Sequence, residues 1–197
     1  MNGDAGKGKT MLLIGIINEL LKETQSVTAS EKAIVSYFLC QATNSRLNNV
    51  TAILRGLIYL LIIQQPALVI YLQDNYKHAG QQLFEENVAF YNLSEVLKEM
   101  LQDRSLTTVY LVINAFDECE DGLPQLLNLI TETTAEGFNQ IKWIVTSCHR
   151  DDIEQDIGFN DHHTKLNLEL SADHISHAVD AYIDSKISKL SLLKRNI

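Results

Sequence analysis

Proline and glycine are scarce in this 197-residue chain, at 2 and 9 residues. No stretch reads as a linker, a low-complexity tail or an internal repeat. Cysteine is too sparse to organise the fold. Cys40, Cys119 and Cys148 are odd in number and widely spaced, so neither a disulfide framework nor a zinc pairing is expected. The expectation is a reducing compartment, the cytoplasm, with mostly buried thiols. Positive charge is also short: 16 Lys and Arg against 25 Asp and Glu leave a net charge of −9. A nucleic-acid-binding domain normally concentrates basic residues on one face, so nucleic acid is not the expected partner. A long uninterrupted hydrophobic run is missing as well. The most apolar stretch, Ala52 to Leu72, carries Arg55, Gln64, Gln65 and Pro66, whereas a membrane-spanning helix needs about 20 mostly apolar residues. Two buried helices are expected there, and no membrane span. A signal peptide is not expected either, because a glycine-rich motif starts at Gly3.

What is present is ordinary globular material, 46% hydrophobic and 21% charged, in a length that suits one domain. Leu12, Ile16, Ile17, Leu20 and Leu21 recur at helical spacing and predict a helix from Lys9 to about Lys22. Residues 33–39 are β-rich and predict a strand. Helices are expected over 50–63 and from Pro66, which suits a first turn. Ser94 is expected to cap a helix over 95–101. The run from Thr107 to Ile113 is near-continuously apolar, as in strands buried on both faces of a parallel sheet. A helix over 123–130, strands over 141–146 and 164–170, and a helix capped by Ser171 and ending near Leu190 complete the pattern. Strands alternating with helices predict an α/β fold with a mostly parallel sheet.

Two motifs carry chemistry. Gly3, Asp4, Ala5, Gly6, Lys7, Gly8, Lys9 and Thr10 fit the phosphate-binding pattern G-x-x-x-x-G-K-[ST] in full. Glycines let several N–H groups curl around one anion, and the following helix adds its positive end. Lys9 is expected between the β- and γ-phosphates, and Thr10 on Mg²⁺. A strand normally precedes this motif, and only Met1 and Asn2 stand before Gly3. The chain therefore reads as a fragment or a truncated gene model, or else its loop hangs from the edge of a damaged sheet. The second motif follows the strand ending at Ile113: Asn114, Ala115, Phe116, Asp117, Glu118, Cys119, Glu120 and Asp121. An apolar strand ending in acids suits a Mg²⁺–phosphate site, where one carboxylate positions the metal and another orients the attacking water.

Gly3 to Thr10, Leu111 to Cys119 and Lys142 to Ser147 together resemble the NACHT domain of fungal STAND proteins, signal-transducing P-loop NTPases, many tied to heterokaryon incompatibility. Phe38 to Gln41, Leu54 to Ile58 and Ala178 to Ile183 are similar to that group too, so the likeness spans nearly the whole chain. The resemblance implies a P-loop NTPase three-layer sandwich with sheet order 5-1-4-3-2, and a single nucleoside-triphosphatase domain over residues 1–197. In that family an N-terminal effector and C-terminal repeats flank the module; against that pattern this chain is expected to lack them and the first strand. ATP or GTP with Mg²⁺ is implied as cofactor, and self-association or other STAND-type proteins as partners. Carried onto this sequence, Asp117 and Glu118 are the catalytic candidates. Gly3 to Thr10 bind the nucleotide, and Thr10, Asn114 and Asp117 serve the metal. The chain departs from the family at Asn114, where Asp is usual, and at Cys148, where a sensor Arg is usual; Arg150 stands two residues on. A neutral amide brings no charge to a cation, and a thiol donates to phosphate far less well than a guanidinium.

The implied function is a slow NTPase switch. The alternative is a non-catalytic interaction remnant of such a protein. Lesser candidates are His174 and His177, three apart with Asp173 and Asp180 nearby, which read as an exposed polar face more readily than half a metal site. Arg46 and Arg55 lie in the helical insert, within possible reach of phosphate.

Overall fold

The computed structural model describes residues 1, 8–26, 33–119, 121–134, 138 and 140–148. The strand expected at 164–170 and the helix expected at 171–190 lie outside the described residues, as do His174 and His177.

Among the described residues, three parallel strands form a sheet: β1 (Ile34–Leu39), β2 (Val109–Asn114) and β3 (Ile141–Val145), in the spatial order β1-β2-β3. Ile34 faces Val109 and Leu39 faces Asn114 on one side of β2, while Val109 faces Ile141 and Ile113 faces Val145 on the other. All three strands therefore end at one edge. A parallel sheet between helices is compatible with the expected α/β fold.

Side chains alternate across a strand, and each face of this sheet has its own cover. Val35 and Val112 turn to α1 (Lys9–Ser26), where they bury Leu13 and Ile17 with Leu20 and Leu21 alongside. Ile34, Val109, Leu111, Ile113 and Ile141 turn the other way, into the larger core built by α2 (Val50–Gln64), α4 (Glu86–Leu101) and α5 (Leu123–Thr134). This double burial explains why 109–113 reads as a near-continuous apolar run. Val109, Leu111, Val112 and Ile113 are wholly buried. The expected helix over Lys9 to Lys22 exists and runs on to Ser26, and its innermost residue is Leu13 rather than Leu12.

The helices start where their chemistry allows. Asn49 caps α2, its side chain accepting from Ala52 N at 2.8 Å. Pro66 opens a short 3₁₀ turn (Pro66–Leu68) that runs straight into α3 (Val69–Ala79), as a residue without a donor N–H should. Ser94 is a correction. It sits inside α4, buried, with its hydroxyl donating to Phe90 O at 2.7 Å. The apolar stripe Ala89, Leu93, Val96, Leu97 and Met100 carries the helix through that position, and packing outweighs the capping preference of serine. α5 leans on β3 through Trp143, whose indole N–H donates to the buried Thr133 hydroxyl at 2.9 Å.

The two edges of the sheet differ. On β1, the Gln64 side chain donates to Val35 O at 2.9 Å and accepts from Val35 N at 3.3 Å. On β3, the Met1 amine donates to Val145 O at 2.7 Å, and Ser147 N donates to Met1 O at 3.0 Å. Met1 thus makes one parallel rung at the place where the implied first strand belongs. Among the described residues, no helix is long and apolar enough to cross a membrane.

Gly56 marks the closest approach of α2 to β1. A Cβ there would lie 2.5 Å from Cδ2 of Phe38. Alanine normally gains about 1 kcal/mol over glycine inside a helix, but forcing a methyl into a packed contact costs about 1–3 kcal/mol. Gly56→Ala should therefore lower the urea midpoint in the wild-type chain. In a Phe38→Leu background the same change should raise it.

Candidate functional site

The C-terminal edge of the sheet gathers the second motif, the start of α1 and the end of β3. Gly3, Asp4, Ala5, Gly6 and Lys7 lie outside the described residues, as does Arg150. Gly8, Lys9 and Thr10 are described. Gly8 has φ 74°, a left-handed value that suits glycine, and its carbonyl accepts from Leu12 N at 2.9 Å to begin α1. The first turn of α1 meets the end of β2: Thr10 Oγ1 is 3.2 Å from Asn114 Nδ2 and 3.4 Å from Asn114 Oδ1. Lys9 Nζ lies 3.5 Å from Cys148 Sγ.

Thr146, just past β3, fixes this corner. Its backbone N–H donates to Ile113 O at 3.0 Å, and its carbonyl accepts from Phe116 N at 2.8 Å. Its side-chain oxygen accepts from Ala115 N at 3.0 Å, so its one proton is left for Asn114 Oδ1 at 2.8 Å. That proton sets the amide: Oδ1 faces Thr146, and Nδ2 faces Thr10. Ala115 adopts φ 52° and ψ 51°, left-handed for a residue with a Cβ. Such a backbone persists only where its surroundings hold it, and the contacts of Thr146, with the wholly buried Phe116, do so.

Beyond Ala115 the chain makes a 3₁₀ turn, Phe116–Glu118, which sends its two acids apart. Asp117 Oδ1 accepts from Cys148 N at 2.7 Å, beside β3. Glu118 Oε2 accepts from Ala42 N at 2.8 Å, in the loop after β1. Of the residues read from the sequence as serving a metal, Thr10 and Asn114 are thus brought together, and Asp117 is held elsewhere. Tested as a Mg²⁺ site, the donor set does not fit. Among the described residues, Thr10 meets a neutral amide instead of a carboxylate, with Nδ2 at 3.2 Å and Oδ1 at 3.4 Å. No cluster of three His, Cys, Asp or Glu side chains suited to a metal ion occurs among the described residues. Anion chemistry fits better, because a lysine stands at the N-terminal end of a helix.

Thr146 and Ala42 were not singled out by sequence reasoning. The only signal for Thr146 is a polar residue that ends an apolar strand. Arg55 belongs elsewhere, donating to Phe84 O at 3.1 Å in the helical insert.

The thiols are graded by their surroundings. Burial pushes the Cys40 thiol up to about 12, with Cys119, Glu118 and Asp117 adding to the shift. Cys148 is half-buried. Burial raises its thiol above the ordinary value, Asp117 raises it further, and Lys9 pulls it back.

The family model described as "Nephrocystin 3, N-terminal" matches residues 1–148, a stretch that ends on Cys148. The chain is 49% identical over 191 residues to the vegetative incompatibility protein HET-E-1 of Podospora anserina. That alignment covers 97% of this chain and 14% of the relative's length. No solved structure matches.

Thiolate is the reactive form, so these environments order the cysteines. Iodoacetamide near pH 8 should label Cys148 before Cys40 and Cys119, as read by peptide mass spectrometry. Asp117→Asn lowers the Cys148 pKa and should speed labelling, while Lys9→Ala raises it and should slow labelling. First labelling at Cys40 or Cys119 would contradict this electrostatic picture.

Proposed function

Because the chain belongs to the nephrocystin 3 N-terminal family, and a relative it closely matches is a vegetative incompatibility protein, we propose that it is a nucleotide-binding module of a signal-transducing protein, a NACHT-type P-loop switch for ATP or GTP. The observation that carries this reading is the contact of Thr10, the last residue of the phosphate-binding pattern, with Asn114 at the C-terminal end of the central strand. Ligands of open parallel α/β sheets sit at that edge. The Lys9 ammonium and the N-terminal N–H groups of α1 would hold the phosphates.

The switching step follows from the same contacts. Lys9 lies against the Cys148 thiol, and Cys148 N donates to Asp117. A polyphosphate draws Lys9 away from Cys148, and the change passes to the Phe116–Glu118 turn through Asp117. Two nucleotide states that load Lys9 differently then favour two positions of that turn. Asp117 and Glu118 are the residues for orienting water, and both already accept from backbone donors. With a neutral Asn114 and a thiol in the sensor place, hydrolysis is slow or impaired. The chain spans about 14% of the length of the curated relative it matches. Self-association, STAND-type partners and a cytoplasmic location of the full-length protein are part of the proposal.

The neutral amide on Thr10 also favours a second reading, a hydrolytically inert interaction module. Titrating the chain with fluorescent ATP and GTP analogues in millimolar Mg²⁺ tests the first. Lys9→Ala should weaken binding at least about tenfold, equivalent to about 1.4 kcal/mol. A folded wild-type chain with no saturable binding would leave only the interaction module. Asn114→Asp should raise the hydrolysis rate of a switch that lacks only this charge, and should leave an inert module unchanged.

A further inference from the structure

Resting on the reading of this edge as a phosphate site, we infer that the site takes nucleoside polyphosphate without a divalent cation. The hydroxyl of Thr10 is where a cation of this motif would seat, and beside it stands a neutral amide, Asn114, with Nδ2 at 3.2 Å and Oδ1 at 3.4 Å. The amide cannot turn round freely. Thr146 Oγ1 accepts from Ala115 N at 3.0 Å and donates to Asn114 Oδ1 at 2.8 Å, which favours the amide as it stands. The nearer atom to Thr10 is the amide nitrogen, and the group as a whole brings no negative charge to the place a cation would occupy.

Among the described residues, the two nearby acids already accept from backbone donors. Asp117 is tied to Cys148 N, and Glu118 is tied to Ala42 N, on opposite sides of Asn114. Among the described residues, Lys9 and the amino end of α1 stand at the mouth of the site, with Asp117 on the far side of Cys148 from Lys9. Free polyphosphate carries more negative charge than its magnesium complex, so these groups attract the free form more strongly. The Asn114 N–H₂ group adds a donor suited to a phosphate oxygen where a carboxylate would repel it.

The test titrates the whole chain with fluorescent ATP and GTP analogues, once in millimolar Mg²⁺ and once in excess EDTA. The wild-type chain should bind at least as tightly in EDTA as in Mg²⁺, and a loss of about tenfold or more in EDTA would overturn the inference. Asn114→Asp places a carboxylate against the phosphates, and its binding should weaken in EDTA relative to Mg²⁺ by about tenfold. If that variant folds and remains indifferent to Mg²⁺, the role given to Asn114 is wrong. If it fails to fold, the wild-type comparison decides alone. Absence of binding in both buffers would remove the phosphate site itself, an outcome distinct from binding that needs the cation.

Discussion

The arrangement at the sheet edge depends on one buried hydroxyl. Thr146 takes the N–H of Ala115 and gives its own proton to Asn114, while its backbone takes the N–H of Phe116 and reaches back to Ile113. A fully buried donor left without a partner costs about 1–3 kcal/mol, and the half-buried Ala115 N–H would lose its partner without this side chain at part of that cost. The left-handed backbone at Ala115 exists because these bonds hold it. That backbone in turn aims Asn114 at α1 and starts the turn that parts Asp117 from Glu118. The loop after β2 is thus shaped by the strand beside it as much as by its own residues.

This is why the sequence revealed the scaffold more readily than the site. The central strand was legible because burial on both faces leaves no polar position in residues 109–113 apart from Tyr110, which packs against the α1 side. The start of α1, the strand over 34–39 and the break before Pro66 were legible because they rest on local chemistry. Ser94 misled because its capping preference is local, whereas the stripe that buries it extends for three turns. The rotation that puts Leu13, and not Leu12, against Val35 and Val112 depends on how α1 lies on the sheet, which periodicity does not fix.

At the site, the two motifs could be found as strings, and the meeting of Thr10 with Asn114 follows from their places in an α/β fold. The fate of the acids could not be read in this way. Asp117 and Glu118 are adjacent in the chain, and their separation is decided by N–H groups of Cys148 and Ala42, which come from other strands. The orientation of the Asn114 amide likewise rests on a hydroxyl 32 positions away. An acid-rich turn read alone suggests pooled negative charge. Backbone donors on either side distribute that charge and leave a neutral group at the centre.

The Gln64 side chain gives the sheet a direction. An outer strand displays unpaired backbone groups, and such a row invites another chain to join it. At Val35 both outward groups are already engaged by one primary amide, which imitates a peptide unit from a neighbouring strand. An intruding chain would have to expel a partner offering the same two bonds. Growth of the sheet by added strands is therefore resisted at β1 by a single side chain anchored in α2.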